Sequence, residues 1–105
     1  MSEPIAEPWS VGDSTMPRRG TIYRFSQAGD ALPMHSHDRS SVHTTMVFKG
    51  SIVMNGPGRD GKEGWMDEGK AGAFFVFEIG QEHHITALEA NTVILNELIY
   101  PMGDL

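Results

Sequence analysis

Five histidines stand among the 105 residues, and there is no cysteine. That stock excludes disulfides, thiolate zinc sites, iron–sulfur clusters and cysteine nucleophiles. Any metal would have to be held by imidazole, carboxylate, amide or water. His35 and His37 stand at i and i+2. On a strand that spacing puts both on one face, about 7 Å apart, close enough to lean onto one ion. His43 opens the next β-prone segment, and His83 lies far downstream, just after Gly80-Gln81-Glu82. Two ligands close in sequence and two more supplied by the fold is a normal way to build an imidazole site. A His-x-His pair is weak evidence by itself, because most histidines are surface or structural residues. His84 adjoins His83, so on a strand it faces the other way and reads as structural or exposed.

The elements that would position these histidines are short strands. Thr21–Ser26 is β-prone and is punctuated by Gln27-Ala-Gly-Asp-Ala-Leu-Pro33. Met34–His37 is a short segment before a polar loop. Val42–Lys49 is a strong strand, and Ser51–Asn55 follows at once, so Lys49-Gly50-Ser51 reads as a tight hairpin turn. Gly56–Gly64 is a Gly-rich polar loop, with Arg59, Asp60, Lys62 and Glu63 as solvated charges. Trp65–Asp67 is a short strand, and Ala73–Ile79 is an apolar run expected to be buried on both faces. Ile85–Leu88 and Thr92–Tyr100 complete the set. Helix-start signals and long 3.6-residue periodicity are absent, so the fold class is all-β, a sandwich or barrel. Residues 1–20 carry Pro4, Pro8 and Pro17 and read as an irregular N-terminal arm with room for one short strand; 21–105 form the barrel domain.

Length and charge narrow the function. A chain of 105 residues, 39% hydrophobic and 21% charged, is enough for one core. Eight Lys and Arg against fourteen Asp and Glu leave a net charge of −6, which argues against nucleic acid or an anionic membrane as partner. No apolar run approaches the roughly 18 residues of a membrane span. The acidic, Pro-broken start is unlike a signal peptide, so a cytoplasmic location is expected.

The glycine framework around the histidines resembles the cupin family. The first cupin motif runs G-x5-H-x-H-x(3,4)-E-x6-G, and here Gly29, His35, His37, His43 and Gly50 follow that order. The second runs G-x5-P-x-G-x2-H-x3-N, matched by Gly72, Gly80 and His83. The two matches span 29–87. Three positions depart from the pattern: His43 takes the glutamate's place after a gap one residue longer, Glu78 takes the proline's, and Ala87 the last asparagine's. The resemblance implies a single-domain cupin, a jelly-roll (double-stranded β-helix) barrel with the metal inside. It also implies one divalent transition-metal ion per chain, iron, manganese, nickel, copper or zinc, held by His35, His37, His43 and His83. His43 for glutamate is similar to the all-histidine variant of some small cupins. Four neutral imidazoles would leave the ion its full dipositive charge, a stronger Lewis acid toward an anionic or enolate oxygen. An octahedral ion would keep two positions open. The expected function is a metal-dependent enzyme on a small organic substrate, of dioxygenase type. The alternatives are a Lewis-acid lyase or isomerase, or a non-catalytic small-molecule-binding cupin. Cupins of this size commonly pair, so a homodimer is expected.

Strand parity suggests further residues. Thr45 and Val47 should share the face of His43, which makes the Thr45 hydroxyl a candidate at the site, and Ile85 should share that of His83. Asn96 and Glu97 are adjacent in the apolar last strand, so one must face inward. Glu97 is a candidate acid or base on that ground. Tyr23 and Arg24 pose the same choice on the first strand. Phe74, Phe75, Val76 and Phe77 read as core, and Met34, Met46 and Met54 as candidate cavity lining.

Overall fold

The computed structural model describes residues 2–11, 18–35, 42–58, 63–77 and 81–99. These form nine strands: β1 (Ile5–Val11), β2 (Arg18–Phe25), β3 (Ala31–His35), β4 (Val42–Lys49), β5 (Ser51–Gly56), β6 (Trp65–Lys70), β7 (Phe74–Phe77), β8 (His83–Ala87) and β9 (Thr92–Ile99). They make two antiparallel sheets, one ordered β1-β2-β9-β4-β7 and the other β3-β8-β5-β6. The all-β jelly roll expected from the sequence is therefore the observed fold. The described residues contain no helix long and apolar enough to cross a membrane.

The core lies between the sheets. Phe25, Val47 and Ile94 enter from one sheet and Ile52, Met54, Ile85 and Ala87 from the other, all at most 1% exposed. Each large side chain removed from water in this way is worth about 1.5–3 kcal/mol. Alternation along β4 puts His43, Thr45 and Val47 inside, and along β8 it puts His83, Ile85 and Ala87 inside.

Among the described residues, four corners carry the chain from one sheet to the other, and each holds a residue with positive φ. Gly29 (91°) lies between β2 and β3, Gly50 (81°) between β4 and β5, Gly72 (96°) between β6 and β7, and Asn91 (59°) between β8 and β9. The glycine framework read in the sequence is thus a set of barrel corners. The hairpin expected at Lys49-Gly50-Ser51 is not one: β4 and β5 lie in different sheets. Left-handed backbone at Gly50 turns the chain across the barrel, and a Cβ there would strike the Thr92 side chain.

Two further expectations are corrected. The N-terminal arm is not irregular over 5–11. β1 pairs with β2 along its whole length, and Pro8 is tolerated because β1 is an edge strand that need not donate outward. Ser2 is also tied down, its carbonyl accepting from the Ala31 N–H at 3.0 Å. The run from Phe74 is not buried on both faces. β7 is the other edge of the five-stranded sheet, so Phe75 and Phe77 point inward while Phe74 (56%) and Val76 (64%) face outward.

Candidate metal centre in the barrel mouth

The corners occupy one end of the barrel; the histidines occupy the other. His35 closes β3, His43 is the second residue of β4, Phe77 closes β7 and His83 opens β8. These strand ends meet at this mouth, a common place for a binding site on a β-barrel.

His43 and His83 come from opposite sheets and meet inside. Their ring centroids are 4.7 Å apart at 33°. Phe77, opposite His43 in the β4–β7 register, stacks on both imidazoles, 4.6 Å from His43 and 4.3 Å from His83. Trp65 from β6 reaches the same ring at 6.3 Å. His43 is 4% exposed and His83 fully buried. The aromatic floor holds the two imidazoles in place and keeps water off their faces.

The His83 tautomer follows from one hydrogen bond. Its Nδ1 lies 3.0 Å from the Gln81 carbonyl oxygen. A carbonyl can only accept, so Nδ1 carries the proton and the neutral ring keeps its lone pair on Nε2, the arrangement a metal ligand requires.

His35 is brought to the same place by an irregularity. Leu32 pairs with Ile85 and His35 with His83, so three steps on β3 match two on β8. The extra residue is a bulge, and Pro33, which has no N–H for the ladder, lies inside it. In regular register Met34 would stand opposite His83; the bulge puts His35 there. His37 lies outside the described residues. Among the described residues no group of three His, Cys, Asp or Glu side chains is close enough to hold a metal ion. The imidazoles in place nevertheless suit one, since His43 and His83 are buried beside each other and His83 carries its proton on Nδ1.

Thr45 and Asn96 share the interior with His43. They are partners in the β4–β9 register, and the Thr45 hydroxyl donates to Asn96 Oδ1 at 2.7 Å. The choice left open in β9 is therefore settled for Asn96. Glu97 pairs with Thr44 and Gly20 on the outer face, away from the imidazoles, so it is not an acid or base for this site. The apolar residues on both faces of β9 hid that parity. Of the three methionines only Met54 is interior; Met46 lies on the outer face opposite Leu95, and Met34 is 44% exposed. On β2, Tyr23 turns inward and Arg24 outward, where its Nε meets Glu7 Oε1 at 2.7 Å. His84 faces away from the barrel interior, its Nδ1 3.4 Å from Thr86 Oγ1. The stacking role of Phe77 was missed in the sequence; its place in the second motif, ahead of His83, was the available signal.

No protein-family model and no curated protein matches the sequence. Solved structures do match the fold. An RmlC-like cupin protein from Desulfovibrio desulfuricans is 23% identical, with 90% of this chain covering 81% of that one at a TM-score of 0.66. Oxalate decarboxylase from Bacillus subtilis is 18% identical at a TM-score of 0.76; 94% of this chain is matched, but it spans only 25% of that protein. KdgF from a Halomonas species is 17% identical, with 94% of this chain covering 82% of that one at a TM-score of 0.66.

Proposed function

We propose that this chain, a cupin by fold, binds one divalent transition-metal ion through His35, His37, His43 and His83 and acts on a small organic substrate as a dioxygenase-type oxidoreductase. The observation that carries the metal reading is the meeting of His43 and His83 across the two sheets, 4.7 Å apart, with His35 set opposite His83 by the bulge. When bound, an ion held by neutral imidazoles supplies Lewis acidity toward a substrate oxygen and, if redox-active, an electron route to dioxygen.

The protein's own part is positioning. Phe77 fixes the planes of both described imidazoles, and the Gln81 carbonyl sets the His83 tautomer. Phe77 and Trp65 pack apolar ring surface beside the imidazoles. Asp30 is committed to the β2–β3 turn, and Glu97, buried at 8% exposure, lies on the outer face of its sheet. The structural match to an oxalate decarboxylase keeps metal-assisted cleavage as the second reading.

Oxygen consumption separates them. Protein loaded with iron, manganese, nickel or copper should consume dioxygen with an enolisable diketone or a catechol, and zinc-loaded protein should not. Equal turnover with zinc, or turnover indifferent to oxygen, moves the protein to the lyase or isomerase class. Metal uptake with no turnover on a broad panel favours a binding cupin. We further propose a homodimer, supported by the outward apolar residues of the β7 edge.

A further inference from the structure

Asn96 is a polar side chain of β9 turned into the barrel, and it is 4% exposed. It stands between Thr21 on β2 and Thr45 on β4 in the sheet register. Thr45, itself fully buried, donates its hydroxyl proton to Oδ1 at 2.7 Å. That bond fixes which way the amide faces. Its other end, Nδ2, is buried and has no hydrogen-bond partner among the described residues. A buried amide N–H left unmade costs about 1–3 kcal/mol, so such groups normally meet a water or a ligand oxygen.

Thr45 is two residues from His43 on the same face, a step of about 7 Å. A small molecule bound at the imidazoles spans that step. The charge balance selects its type. The described interior polar groups of the mouth are imidazole, hydroxyl and amide, and none is a carboxylate. An amide N–H donates only, and it donates most strongly to an anionic oxygen.

We propose that Asn96 is the substrate-orienting residue of this site. It donates from Nδ2 to one oxygen of a small oxyanion, a carboxylate or an enolate, whose other oxygen lies toward the histidines. The inference rests on the metal-site reading. It makes Thr45 a positioning residue, since Thr45 acts only by holding the amide.

The test uses the zinc-loaded full chain, with malonate as the carboxylate probe and pentane-2,4-dione as the enolate probe. The Asn96 side-chain amide signal is followed by ¹H–¹⁵N NMR, assigned by its loss in Asn96→Leu. We expect one probe or both to shift that signal on saturation, and which one does so names the oxyanion. Asn96→Leu and Asn96→Asp should each weaken that probe's binding by about tenfold or more with zinc content unchanged. Thr45→Val should weaken it less and broaden the amide signal as the side chain is freed. If Asn96→Leu does not fold, Asn96→Asp and Thr45→Val carry the same comparison. Saturation that leaves the signal unmoved, binding in Asn96→Asp equal to the wild type, or failure of both probes to bind would overturn the assignment. If the wild type takes up no zinc, the metal reading falls separately. The titration is then made on the metal-free chain, where a shifted Asn96 signal still supports the inference and an unmoved one overturns it.

Discussion

His35 stands opposite His83 because β3 carries one residue more than β8 between Leu32 and the end of the strand. Were the same residues paired in regular register, Met34 would stand opposite His83. A bulge re-aims every position beyond it to the opposite face, and bulges recur beside functional sites for that reason. Here it sets His35 rather than Met34 opposite His83 in the register.

The wild type should carry close to one transition-metal ion per chain, and His43→Ala and His83→Ala should each lose most of it. His43→Glu should keep the metal, because carboxylate is also a ligand. Protons compete with metal for imidazole nitrogen, so wild-type affinity should fall between neutral and mildly acidic pH. Elemental analysis after dialysis at two pH values checks all four proteins. A wild type that refuses every ion offered would remove the site.

Asp30 ties the chain start to the β2–β3 turn. The Ser2 backbone N–H (3.2 Å) and hydroxyl (3.1 Å) donate to Oδ1, and the Ser26 hydroxyl and Gln27 N–H donate to Oδ2 at 3.2 Å each. The hydrogen bond from the Ser2 N–H, with those of Gln27, Ser2 and Ser26, holds this carboxyl below the ordinary aspartate value, against the opposing effect of burial. A lowered native pKa means that the unfolded chain binds the proton first. The contribution to stability is therefore whole above the unfolded value and is lost as pH falls through the native one. Thermal unfolding of Asp30→Asn should show a deficit at neutral pH that narrows toward strong acid, as the wild type loses the same charge.

Gly50 and Gly72 separate backbone strain from crowding. Both have positive φ, but a Cβ at Gly72 meets nothing within 4 Å, whereas one at Gly50 strikes Thr92. Gly72→Ala should cost about 1–2 kcal/mol, the left-handed penalty alone. Gly50→Ala should cost more, because Thr92 is fully buried and its hydroxyl already donates to the Glu89 carbonyl at 2.8 Å. In a domain of this size each kcal/mol lowers the melting temperature by about 4–8 °C. Equal losses in the two variants would discount the crowding at Gly50.

Edge-strand β7 leaves Phe74 and Val76 outward, with Phe48 of β4, 50% exposed, also on the outer face of this sheet. Exposed apolar edges pair unless something blocks them. Sedimentation at micromolar concentration should show a dimer for the wild type and a monomer for Val76→Lys, whose fold should survive because the position is outside the core. A monomeric wild type contradicts the proposed homodimer.

Much of this protein was legible in its residues. The short β-prone runs and their turn punctuation made the class, and the spacing of Gly29, His35, His43, Gly50, Gly72 and His83 made the cupin resemblance. Local chemistry is what these features report: a corner needs positive φ wherever it occurs, and an imidazole at a strand end is visible as a letter. Strand alternation likewise placed Thr45 with His43 and Ile85 with His83, because β4 and β8 keep a regular period of two.

Tertiary structure decided what alternation could not. β9 is apolar on both faces, one buried in the core and one half-buried in the outer sheet surface, so only its pairing with β4 separates Asn96 inside from Glu97 outside. Gly50 reads as a hairpin turn to any rule that sees only its neighbours; that β4 and β5 part into different sheets is a property of their distant partners, β9 and β8. The bulge at Pro33 shows only as a register against β8. Composition and spacing supplied the candidate ligands, and long-range pairing decided which side chains face them.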